Sequence, residues 1–224
     1  MDLQALTLTL RLAAVTTALL LCISVPLAAW IAFTRSRLRA LVEAVSTLPL
    51  LLPPTVLGFY LLVLMGPRTA FGRGWIHLTG HPLAFSFSGL VVGSVIYSLP
   101  FAVQPLVAGF AGVDHALLEQ ARLLGASRLR ILRAVLLPLS ARSLLTATVL
   151  CFMHTVGEFG VVLMIGGNIP GATRTLSILI YDQVQDFAYA EANRTALLLV
   201  AISLAALIFL YSQRKPAPGG ERHA

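Results

Sequence analysis

Few residues of this chain have side chains that can do chemistry, and two of them sit one helical turn apart in an apolar run. His154 and Glu158 are four apart, with Gly157 and Gly160 beside the glutamate. That spacing predicts one helical face for both. An ionisable group inside such a run is a candidate for function by default. A carboxylate at this position repels an anion, and His154 is placed to neutralise it, so the expected role is structural or gating. His77 and His81 are also four apart, but no third ligand lies near them, so a solvated loop is expected and no metal site is assigned. Cys22 and Cys151 fall within apolar runs and read as small fillers, with no disulfide implied. The sequence has no G-x-x-x-x-G-K-[ST] loop, and its one lysine is Lys215. Neither G-x-S-x-G nor HExxH occurs. No cofactor and no catalytic residue are therefore expected.

The longest polar interruption is DHALLEQARLLGASRLRILRAVLLP, Asp114 to Pro138. Asp114 is a predicted N-cap for a helix starting at His115. Gly125 stands where a left-handed residue would end that helix, and Ser127 can cap a second helix through Ile131 and Val135. Leu117, Ala121 and Leu124 follow at i, i+4 and i+7 and predict an apolar face, beside which Glu119 and Arg122 can pair. Two bent amphipathic helices carrying Arg122, Arg128, Arg130 and Arg133 suit a groove on a soluble partner.

The elements around these residues are set by hydrophobicity. Of 224 residues, 58% are hydrophobic and 11% charged, too apolar for an ordinary soluble domain. Five stretches approach the roughly 20 apolar residues that a bilayer span requires. They predict an all-α polytopic membrane protein, one transmembrane domain over 1–213, with spans at about 9–33, 44–66, 84–112, 141–166 and 194–213. Asp2 and a long apolar run argue against a cleaved signal. Pro49, Pro53 and Pro54 are expected to break the second span, and Pro100 with Pro105 the third. Such unwound backbone either lines a path or is a static kink.

Most of the sixteen basic residues fall on one side of five spans, at Arg35 to Arg39, Arg122 to Arg142 and Arg214 to Arg222. That side is predicted to be cytoplasmic, with the N-terminus outside and the C-terminus in the cytosol. The net charge of +7 reports topology and anionic lipid, not nucleic acid. Residues 67–82 read as an external loop, and Asn168-Ile-Pro-Gly as a turn. Leu176, Leu179, Ile180, Val184 and Phe187 predict an amphipathic surface helix, either a partner contact or a connector. The tail, 214–224, reads as disordered.

Glu119, Gln120, Ala121, then Gly125, then Val135, Leu137 and Pro138 resemble the E-A-A, three residues, G, nine residues, I-x-L-P signature of membrane subunits of bacterial ABC importers. Gln120 replaces the second Ala and Val135 the Ile, with the spacing intact. LPLLLPPTVLGFYLLVLMG, and GEFG followed by NIPGATRTLSILIY, resemble molybdate ABC-transporter permeases, and the likeness covers nearly the whole chain. The resemblance implies that Asp114–Pro138 is a coupling segment, with Asp114, Glu119, Ala121, Gly125, Leu137 and Pro138 meeting a cytoplasmic ATP-binding subunit. It also implies a homodimer in the bacterial inner membrane, an external oxyanion-binding protein, and molybdate or tungstate as cargo. Sulfate or another oxyanion is the alternative, and a stand-alone channel or ion-coupled carrier the alternative of another class. Pro53, Pro54, Pro100, His154 and Glu158 are the pathway or gating candidates.

Overall fold

The Asp2 carboxylate accepts hydrogen bonds from the backbone N–H groups of Gln4 (2.9 Å) and Ala5 (3.0 Å). It satisfies two of the donors that a helix start leaves free. The computed structural model describes residues 2–213, so the expectation for the 214–224 tail lies outside the described residues. From Asp2, α1 runs through Pro26 over Leu3–Phe33, starting six residues before the expected span.

The expected second span is broken at Pro53 and Pro54 but not at Pro49, which lies within an unbroken helix. α2, Arg39–Leu51, and α3, Pro54–Met65, meet at 111° across Leu52 and Pro53. The prolines cause this directly: Leu52, ahead of a proline, is driven extended (ψ 138°), and Pro53 and Pro54 have no N–H to continue the ladder. The third span differs from expectation. α5, Phe87–Ala111, continues through Pro100 and Pro105. Inside hydrocarbon every unpaired backbone group is costly, so losing two donors within a helix is cheaper than unwinding a turn. The loop expected over 67–82 is also corrected. Thr69 caps it (Gly72 N–H to Thr69 Oγ1, 2.9 Å), α4 runs over Ala70–Thr79, and Gly80 ends it at φ +79°.

Next come α6 (His115–Leu123), α7 (Arg128–Ile131), a wider π turn (Leu132–Leu136) and α8 (Leu137–Leu139). α9 (Ala141–Gly157) and α10 (Gly160–Gly166) make a second broken helix, followed by α11 (Leu176–Gln185) and α12 (Tyr189–Ser212). Among the described residues, α1, α5 and α12 are each long and apolar enough to span alone, and two bent pairs, α2 with α3 and Arg128–Leu139 with α9, pass together.

α1, α5 and α9 pack on one another, and α10 lies between α3 and α5. That nesting depends on missing side chains. A Cβ on Gly160 would lie 2.7 Å from Pro54 Cβ, and one on Gly58 2.7 Å from Met164 Cβ. One core cluster holds Leu61, Met65, Leu90, Val161 and Ile165, and a second holds Ala28, Leu106, Phe110 and Ala147. α12 buries only Ala192 and Thr195, and its Leu197, Val200, Leu204 and Ile208 stay exposed, as a lipid-facing helix requires.

Candidate functional site

Local hydrogen bonding shapes Asp114–Pro138. The Asp114 carboxylate accepts from Ala116 N–H at 2.9 Å and starts α6. At the other end Gly125, φ +77°, donates its N–H to Arg122 O (2.9 Å), and Ala126 N–H donates to Ala121 O (3.0 Å). These two bonds form a Schellman motif, in which a left-handed glycine closes the free carbonyls of a helix end. Ser127 Oγ then accepts from Arg130 N–H at 3.4 Å and starts α7. The expected second helix does not stay regular. It widens into the π turn, where Leu137 N–H reaches Leu132 O. Pro138 follows at once and has no N–H for Ala134 O, so the regular ladder has no donor there.

One side of the segment is fixed to the bundle. Leu118, 2% exposed, Ile131 and Leu136 join Phe110, Leu106 and Ala28 in one cluster, with Ala121 and Leu137 packed half-buried against it. His115 makes an edge contact with Phe33 at 5.9 Å. The expected apolar face is corrected: the anchor is Leu118, while Leu117 is 43% and Leu124 87% exposed, with Leu123 also at 87%. Glu119, Arg122, Arg128, Arg130 and Pro138 are exposed. Glu119 and Arg122 form no ion pair; among the described residues the pairs are Arg39–Glu43 and Arg174–Asp182. A cationic surface with two bare leucines at its tip can fill an apolar pocket on a partner.

The second candidate region is the break in α9–α10. The α9 helix ends at Gly157, and Glu158 is extended (ψ 132°), so the expected shared face with His154 is not formed. Glu158 turns inward, 4% exposed, towards the buried hydroxyl of Ser94, with its carboxyl oxygens outside close hydrogen-bond geometry. His154 does not neutralise it. The imidazole Nδ1 lies 2.8 Å from Ser98 Oγ, and the ring stacks on Phe101 at 4.0 Å with Tyr97 at 4.8 Å. Pro54, at the other break, meets Gly160 just beyond Glu158, so the two broken helices touch where they are interrupted. Pro100 is buried within intact α5 and joins neither break.

Ser98 and Gln104 had no sequence signal, and of Asn168 only its turn was signalled. Ser98 lies 56 positions from His154, and Gln104, whose Nε2 donates to Thr47 Oγ1 at 2.7 Å, lies 57 positions from its partner. Asn168 donates to both Asp182 oxygens at 2.7 Å and accepts from Arg174 Nε at 2.6 Å, which braces the turn before α11. The α11 helix is present but buries Leu176, Ile178 and Leu179, while Val184 and Phe187 are exposed.

A profile of the family described as "Binding-protein-dependent transport system inner membrane component" matches residues 24–213. The chain is 51% identical over 214 residues, 96% of its length and 95% of the relative's, to "Molybdenum transport system permease protein ModB" of Azotobacter vinelandii. It is 37% identical over 175 residues to the protein of that name in Escherichia coli (strain K12), covering 78% of this chain and 76% of that one. In fold it is similar to a chain of "a bacterial ABC transporter involved in the import of the acidic polysaccharide alginate", with a TM-score of 0.73 at 18% identity over 95% of this chain and 80% of that one.

Proposed function

We propose that this chain, which belongs to the family of binding-protein-dependent transport system inner membrane components, is the permease subunit of an ATP-driven importer of molybdate. The observation that carries the cargo is the likeness to molybdenum permeases over nearly the whole chain. Two copies enclose one central path. Cytoplasmic ATP-binding subunits grip Asp114–Pro138, and an external binding protein delivers the anion. The N-terminus is outside and the C-terminus in the cytosol.

The shape of the coupling segment supports this arrangement. It is capped at Asp114, turned at Gly125 and anchored by Leu118, Ile131 and Leu136, so force applied at Leu123 and Leu124 reaches the bundle through packed side chains. Closing of the ATPase subunits moves the segment, and the broken helices at Pro53–Pro54 and Glu158 give the bundle places to flex. Selection of the anion falls to the binding protein, because no Lys or Arg lies deep within a span to hold a dianion.

The test is to purify the assembled transporter with its binding protein and titrate that protein with molybdate, tungstate and sulfate. Saturation by molybdate, with ATP-dependent vesicle uptake of the same anion, is the expected result. Preference for sulfate reassigns the cargo, and uptake without an ATPase subunit replaces the importer by a channel or carrier.

A further inference from the structure

An anion crossing the bilayer needs hydrogen-bond donors along its way, and this bundle keeps a set of them half in the open. On α5, Tyr97, Phe101 and Gln104 recur at i, i+4 and i+7, one helical face spanning about 10 Å of depth. Tyr97 and Phe101 are half-buried and Gln104 is exposed. Gln104 is joined to half-buried Thr47 of α2 through its Nε2 at 2.7 Å. From α9, half-buried His154 reaches the same face, stacked on Phe101 and close to Tyr97. Behind it Thr155 Oγ1 is 3.3 Å from Ser98 Oγ, and Ser98 Oγ 2.8 Å from His154 Nδ1. In the tautomer in which the Ser98 hydroxyl donates to Nδ1, the ring proton is on Nε2, across the ring from Ser98.

Amide, phenol and imidazole groups that face lipid forfeit hydrogen bonds, and polar side chains inside spans therefore face a bundle interior or a watery cavity. α12, by contrast, leaves only apolar side chains exposed along its middle. We infer that the Tyr97–Phe101–Gln104 face, with His154 and Thr47, is the wall of the translocation path, and that His154 Nε2–H is the donor a tetrahedral oxyanion meets part-way through. Neutral donors hold a dianion loosely enough to release it, where a fixed cation would trap it. The assignment of the anion rests on the proposed function; the assignment of the wall rests on exposure alone.

Two measurements on the assembled transporter test it, in a Cys22→Ser, Cys151→Ala background that retains uptake. First, Phe101→Cys and Gln104→Cys are reacted with a charged methanethiosulfonate and with a lipid-soluble maleimide, beside Leu204→Cys on α12. Water-lined cysteines ionise and react, so both should label with the charged reagent roughly tenfold faster than Leu204→Cys. Labelling by the maleimide alone places the face against lipid and overturns the wall. Second, uptake per ATP hydrolysed is compared in His154→Phe and His154→Gln. Losing a hydrogen bond to a charged group should lower that ratio roughly tenfold in His154→Phe with ATP turnover kept, and His154→Gln should restore most of it. Uptake and ATP turnover falling together, or not at all, in both variants overturns the donor role. The labelling result does not depend on which anion is carried, so failure of molybdate uptake in the unsubstituted protein counts against the proposed function alone.

Discussion

Gly125 holds φ +77° with no atom near the place of a Cβ, so its requirement is conformational and not steric. A β-branched residue there is strained by about 2 kcal/mol, enough to redirect the chain between α6 and α7. Gly125→Val should insert normally yet lose most ATPase stimulation and uptake, and Glu119→Lys should do likewise by reversing an exposed charge. Co-purification with the ATPase and vesicle uptake read this out; normal coupling in both variants would make the segment a mere connector. Glu158 is buried away from any cation. Glu158→Gln should leave binding-protein capture of molybdate unchanged while altering transport rate or stability, as uptake and thermal unfolding would show. Passage of a cation through that variant would instead make Glu158 a selectivity residue. The caps at Asp114 and Ser127 and the left-handed Gly125 were legible because each works within a few residues of itself. The partners of His154 were not, since Ser98, Phe101 and Tyr97 come from another helix, and the helix end at Gly157 separates His154 from Glu158.

At the scale of elements, hydrophobic runs placed the helices but not their breaks. Pro53 and Pro54 part α2 from α3, whereas Pro100 and Pro105 leave α5 whole, because packing against α1 and α9 decides what a proline does. Gly72, Gly74 and Gly80 made 67–82 look like a loop, yet Thr69 and Gly80 are good caps for α4. Gly160 lets α10 lie against Pro54, and a larger side chain must push α3 and α10 apart. Gly160→Val should cost about 1–3 kcal/mol by overpacking, lowering the unfolding temperature and uptake, while Gly74→Ala, in open space, should change neither. Equal effects of the two would show that the close approach does not matter. The proposed orientation rests on charge alone: Cys at Ser36 or Ser127 should label only from the cytosol, and Cys at Gly74 or Gly171 only from outside. Reversed labelling at Ser127 would remove the coupling argument.

For the whole molecule, function depends on chains that a single sequence does not contain. Composition announced a membrane protein, and the spaced Glu119, Ala121, Gly125, Leu137 and Pro138 pointed to an importer. The cargo was legible only through likeness to other permeases. The proposed function therefore turns on energy transfer through Asp114–Pro138. Proteoliposomes holding the permease, its ATPase subunits and molybdate-loaded binding protein measure it directly, with ATP inside or absent and with Gly125→Val alongside. The predicted result is molybdate accumulation that requires both ATP and Gly125; accumulation without ATP, or equally fast in Gly125→Val, would contradict it.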